Sequence, residues 1–146
     1  MDKLKLLAFD ADDLAVMSAH LQDAVVKVAD MAFLPAEKRF ALVVNRFDWE
    51  GAAAGERRRR RTGLHVDRVT RARRFKIPQG AGEEVLNLLA VTFEETDAPA
   101  GVVTIVFSGE RAVALDVECL EAAMSDLGPM WSTEHVPDHA LDKDEF

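Results

Sequence analysis

Five consecutive arginines, Arg57 to Arg61, stand in the stretch GERRRRRTGLHVDR of a chain whose formal net charge is -8. From Arg57 to Lys76 there are ten basic residues and one acid, Asp67, a local charge of +9, so the rest of the chain carries -8 minus 9, which is -17. Successive side chains on a strand alternate faces, which sends Arg57, Arg59 and Arg61 one way and Arg58 and Arg60 the other. If the run pairs with RFDWE about the small-residue tip GAAAGE, Phe47 and Trp49 come beside one arginine row and Asp48 beside the other. A guanidinium over an aromatic ring gains roughly 0.5–1 kcal/mol when exposed. Positive charge on an aromatic platform is also what holds a single-stranded nucleic acid. Phe47, Trp49, Arg57, Arg59 and Arg61 are therefore the candidate binding residues. The competing reading is a solvated hairpin whose arginines are neutralised by some of the 26 Asp and Glu. With a Debye length of about 8 Å, only acids folded close by would be effective.

Other chemistries find less support. His135 and His139 flank Asp138 four residues apart, the spacing of a helical metal chelate, but Pro137 lies between them and spoils the helix. No metal site is expected. His20 and His65 come with no nucleophile motif, and GAGEE after Pro78 lacks the third glycine and the strand-to-helix setting of a nucleotide loop. No catalytic residues and no cofactor are assigned. Cys119 is the single cysteine, so no intrachain disulfide forms, and its place in VECLEAAM reads as a small buried hydrophobe. Glu118 and Glu121 read as solvent-facing residues of a closing helix.

These residues need elements to hold them. At 146 residues, 49% hydrophobic, the chain has the size of one compact core, over 1–130, followed over 131–146 by an acidic C-terminal tail that reads as extended or partly disordered. LKLLAF reads as a first strand, and DADDLAVMSAHLQDA as a short helix capped by Asp10 or Asp12, with Leu14, Met17 and Leu21 at helical spacing. VVKVADMAF and KRFALVVNRFDWE form a hairpin about PAEK. The arginine run opens a long arm through TGLHVDRVTRARRFKI. Leu64 and Val66 keep a two-residue period there and Val69 comes three later, the slip of a bulge or bend. VLNLLAVTFEE reads as a strand partly buried on both faces, and GVVTIVFS and RAVALDVE as strands joined by the two-residue link Gly109-Glu110. In CLEAAMSDLGP, Leu120, Met124 and Leu127 recur at helical spacing before Gly128 and Pro129, which predicts a C-terminal helix. The fold class is α+β: a strongly curved antiparallel sheet of about seven strands with an early short helix and a C-terminal helix, an order like that of the pleckstrin-homology superfold.

Three stretches, VVNRFDWE, VLNLLAVTFEE and LDVECLEAAMSDLG, with the Trp131 segment and its following Pro and His, resemble the alphaproteobacterial family of domain of unknown function 2948. The resemblance implies a small bacterial, cytosolic, single-domain protein and brings no catalytic residues with it.

No apolar run approaches the roughly 18–20 residues of a membrane span, and the N-terminus MDKLKLLAFDADD lacks the form of a signal peptide, so a cytoplasmic protein is expected. The leading functional expectation is a noncatalytic binding or adaptor module, able to self-associate, that offers its basic hairpin to an acidic protein. The alternative is RNA or single-stranded DNA binding through Arg57, Arg59 and Arg61 with Trp49 and Phe47. An enzyme of unrecognised type stands third, and a phospholipid headgroup is a further conceivable ligand of the run.

Overall fold

The computed structural model describes residues 3–49, 52, 55, 58–128 and 131–132, the last two by their backbone. After β1 (Lys5–Ala8) comes α1 (Ala11–Leu21), whose start is set by Asp10: its Oδ1 accepts from the Asp13 N–H at 2.8 Å. The Asp13 Oδ2 in turn accepts from the Phe9 N–H at 3.1 Å. One of the donors that a helix N-terminus leaves unmet is thereby satisfied, the residue before the cap is tied to the first turn, and Asp12 and Asp13 lie where the helix dipole favours acids. Leu14, Met17 and Leu21 are buried on the face that packs on β7.

Eleven strands are found among the described residues, in one antiparallel sheet. After β1 these are β2 (Val25–Lys27), β3 (Met31–Leu34), β4 (Arg39–Phe47), β5 (Arg58–Asp67), β6 (Val69–Phe75), β7 (Val85–Glu95), β8 (Gly101–Phe107), β9 (Arg111–Val117), β10 (Ala122–Asp126) and β11 (Trp131–Ser132). The order across the sheet is β1-β10-β5-β4-β2-β7-β8-β9-β6, with β11 beside β5 and β3 beside β4. The sheet curls so that alternate residues of its inner face, including Phe40, Leu42, Val44, Leu64, Val66, Leu88, Val103, Ile105, Leu115 and Met124, form one core with α1. It does not close into a barrel: β1 and β6 end the strand order, and β3 is an edge beside β4.

The expected hairpin across GAAAGE is present, with β4 and β5 in register from Arg39↔Asp67 to Phe47↔Arg59. The slip read at Val66 to Val69 is also present. The chain turns there through Arg68, at a φ of 63°, and β6 leaves to pair with β9, its register shifting between Val69 and Arg71. Where one arm was expected there are thus two strands. VVKVADMAF likewise divides into β2 and β3 about a single 3-10 turn, Val28–Asp30, because β2 reaches β7 while β3 runs only along β4. β7 buries Leu86, Leu88 and Val91 and exposes Leu89, so only one of its faces is in the core. A register shift between Leu88 and Ala90 accounts for the three-residue step. The β8–β9 link is Ser108, Gly109 and Glu110, three residues rather than two, since Phe107 pairs with Arg111.

The expected C-terminal helix is a strand. Leu120, Met124 and Leu127 do fit a helical stripe, but burial follows a period of two: Ala122, Met124 and Asp126 are buried, and Ala123 and Ser125 half-buried. The strand prevails because β10 completes both β1 and β5, with four paired positions on one side and five on the other. No propensity within seven residues reports such a demand. The correction removes the element on which the likeness to the pleckstrin-homology order rested. It also moves Glu118, Cys119 and Glu121 into the link before β10, where Cys119 is half-buried rather than buried, Glu118 pairs with Lys38 at 2.8 Å and Glu121 lies 3.6 Å from Arg68.

Candidate functional site

Both faces of the β4–β5 hairpin carry polar side chains, and they do different things. On the inner face Arg46 and Arg60 are cross-strand partners, and Thr62 follows Arg60. All three converge on Asp126 of β10. Arg46 Nε and Nη2 donate to its two oxygens at 2.9 Å each, Arg60 Nη1 to Oδ2 at 3.2 Å, Thr62 Oγ1 to Oδ1 at 2.7 Å, and the Leu4 N–H to Oδ2 at 2.7 Å. Burial pushes the Asp126 carboxyl up, but the bonds from Arg46, Leu4 and Thr62 and the Arg46 charge outweigh it and hold the pKa at about 2. Two arginines and a carboxylate thus extend the core's inner face instead of facing a ligand.

On the outer face the aromatic and arginine residues meet as the register requires. Phe47 and Trp49 pack edge to face with centroids 4.7 Å apart, and the Arg59 guanidinium lies 5.7 Å from the Phe47 centroid. Arg59 Nη1 donates to the Asn45 carbonyl at 2.9 Å, and Trp49 Nε1 to the Gln22 carbonyl at 3.1 Å. Of this group Trp49 is 41% exposed, whereas Arg59 is 6% exposed. Arg61 is half-buried, and Arg57 lies outside the described residues.

Much of the remaining positive charge of the basic stretch is answered within the fold. Arg68 faces Glu121, Arg73 Nη2 donates to Asp116 Oδ1 at 2.5 Å, and Lys76 Nζ to Glu110 Oε1 at 2.9 Å.

Farther along the same outer face, toward the base of the hairpin, lies a groove of about 610 Å³ across β3, β4, β5 and β10. Its floor is made of small residues set opposite one another: His65 stands between Ala41 and Ala123, and Gly63 between Val43 and Ser125. Exposed Leu34 and Leu127 border it. His65 Nδ1 lies 3.2 Å from Asp67 Oδ2 without a hydrogen bond among the described residues, while Asp67 Oδ1 accepts from Arg39 Nε at 2.7 Å. Asp30 also lines the groove. Burial raises its pKa, while the charges of Arg61 and Lys27 draw it down, and its buried Oδ2 has no hydrogen-bond partner among the described residues. His65 and Ser125 share this face but no hydrogen bond joins them, so the His65–Asp67 pair holds no activated nucleophile.

Reading the residues one by one missed this groove. Ala41, Gly63 and Ala123 are unremarkable in isolation and become a depression only when β4, β5 and β10 are laid side by side. Among the described residues no three His, Cys, Asp or Glu side chains gather as metal ligands, and His135, Asp138 and His139 lie outside those residues. No helix of the described residues is long and apolar enough to cross a membrane.

The chain belongs to the family described as protein of unknown function (DUF2948), which matches residues 4–139. No curated protein and no solved structure matches it.

Proposed function

We propose that this DUF2948 protein is a noncatalytic cytoplasmic binding module that uses the outer face of its β4–β5 hairpin to hold an extended peptide segment of another protein. The observation that carries this reading is the groove itself: a small-residue floor at Ala41, Gly63 and Ala123 between exposed Leu34 and Leu127, beside a buried Asp30 oxygen that has no donor among the described residues. A peptide supplies what that geometry lacks, an apolar side chain for the floor and a backbone N–H for Asp30. Lys5 and Arg39 on the groove wall favour acidic residues flanking that side chain.

Single-stranded nucleic acid draws less support, because Arg59 is buried and the Trp49 indole N–H is engaged by Gln22. Selection of a displayed random peptide library against the wild-type protein and against Ala41→Trp tests the proposal. Enriched peptides with an apolar residue among acids, binding at least tenfold more weakly to Ala41→Trp, are expected. Equal binding to both proteins, or no enrichment, would overturn it.

A further inference from the structure

Two of the edge strands of the unclosed sheet, β3 and β6, flank a cleft. β6 ends the strand order, paired only with β9, and β3 is paired only with β4. Between them lies a space of about 200 Å³ lined by Met31, Phe33, Phe40, Ala72, Arg74 and Val113. Strand parity explains the lining. Met31 and Phe33 alternate along β3, Ala72 and Arg74 along β6, and the cross-strand partners Phe33↔Phe40 and Arg74↔Val113 complete it. Five of the six side chains are apolar, and Met31, Phe33 and Ala72 are half-buried against the core.

The sixth, Arg74, is exposed and makes no ion pair or hydrogen bond among the described residues. Its neighbours differ: Arg73 is held by Asp116 and Lys76 by Glu110. A basic side chain at the mouth of an apolar cleft, with no carboxylate partner among the described residues, complements a ligand that is apolar at one end and anionic at the other. Edge strands add unpaired backbone N–H groups that can serve the second oxygen of a carboxylate. The size limits the apolar end. At about 30 Å³ for a water in the liquid, the cleft has room for roughly six or seven groups of water or methylene size, well below a drug-sized pocket.

We propose that the cleft between β3 and β6 binds a small apolar carboxylate, a medium-chain fatty acid in its simplest form, with the tail among Met31, Phe33, Phe40 and Val113 and the carboxylate on Arg74. This site is separate from the peptide groove and does not depend on it.

Titration of the ¹⁵N-labelled protein with octanoate, below its micelle concentration, and with octylammonium tests the assignment. Octanoate is expected to give saturable shifts at Phe33, Ala72, Arg74 and Val113, with octylammonium at least tenfold weaker. Arg74→Gln, a surface change that leaves the circular dichroism spectrum intact, lowers octanoate affinity about tenfold, the scale of one charge-assisted hydrogen bond, and erases the preference between the two probes. Ala72→Leu fills the cleft and weakens both. Ala41→Trp, in the peptide groove, leaves octanoate binding unchanged. Absence of saturable shifts with octanoate, equal binding of the two probes, an unaltered Arg74→Gln affinity, or shifts centred on Ala41 and Gly63 would each overturn the proposal.

Discussion

Arg60 Nη1 stands 3.2 Å from Asp126 Oδ2 where the two side chains are 3% and 0% exposed. The contact joins the fourth arginine of the run to the one acid of β10, and Arg46 reaches the same carboxylate from the facing strand. A run that reads in sequence as a surface feature thus has one of its inward-facing arginines, Arg60, inside the protein. Burying two guanidinium groups is costly, and the single carboxylate with its five donors is what makes that arrangement tolerable.

Removing the Asp126 charge while leaving both arginines in place is therefore predicted to be severe. Asp126→Asn should cost about 3–5 kcal/mol, the usual penalty for stripping one partner from a buried ion pair. Replacing the whole set at once, as Arg46→Met, Arg60→Met and Asp126→Leu, should cost less than the single change. Urea unfolding of the two variants decides it, and an Asp126→Asn loss below about 1 kcal/mol would contradict the reading.

Acid should act through the same carboxylate. Asp126 has a folded pKa of about 2 against 3.8 when unperturbed. A depressed folded pKa means that the stabilisation is complete above about pH 4 and is lost as pH falls toward 2. The loss amounts to about 2–3 kcal/mol. Urea midpoints of wild type and Asp126→Asn between pH 5 and pH 2 should converge, since the variant has nothing to titrate at that position. A gap that stayed constant would refute the linkage.

Arg59 is predicted to behave as a structural residue. It donates to the Asn45 carbonyl and lies over Phe47, so Arg59→Ala should destabilise by about 1–3 kcal/mol. Arg59→Lys should recover little of that, because an ammonium lacks the planar fork. Thermal unfolding measures both changes. An electrophoretic shift with a single-stranded oligonucleotide that Arg59→Ala abolished without loss of stability would favour nucleic-acid binding instead.

The parts legible in the sequence were those decided locally. A helix start at Asp10 or Asp12, of which Asp10 is the cap, the β4–β5 hairpin, the bend before Val69 and the strand over 85–95 each follow from capping, alternation or turn chemistry within a few residues. The sequence could not show whether Ala122–Asp126 is helix or strand, because the deciding partners, β1 and β5, are about 60 to 120 residues away. The same distance hid the use of Arg60, since nothing near the run names Asp126 as its partner. For the candidate platform, a hairpin symmetric about GAAAGE would set Phe47 opposite Arg60, whereas the register pairs Phe47 with Arg59, and the burial of Arg59 depends on neighbours the pairing alone does not supply.

Two glycines within strands should respond to alanine in opposite ways. Gly63, in the middle of β5, has an ordinary negative φ, and an added Cβ would meet only the Leu127 side chain, at 3.4 Å and beyond. Glycine inside a strand is less favourable than alanine by roughly 0.5–1 kcal/mol, chiefly through the unfolded chain's freedom, so Gly63→Ala should stabilise by about that amount. At Gly101, the first residue of β8, an added Cβ would stand 2.6 Å from Phe93 Cε1 and closer still to the Glu94 carbonyl oxygen. That oxygen belongs to the paired strand, where Glu95 faces Gly101, and it cannot move without disturbing the ladder. Gly101→Ala should therefore destabilise by about 1–3 kcal/mol, the cost of forcing atoms into a packed site. Chemical unfolding of both variants should move the midpoint up for Gly63→Ala and down for Gly101→Ala. If the two shifts had the same sign, the close approach of β7 to β8 at Gly101 or the open floor at Gly63 would be wrong.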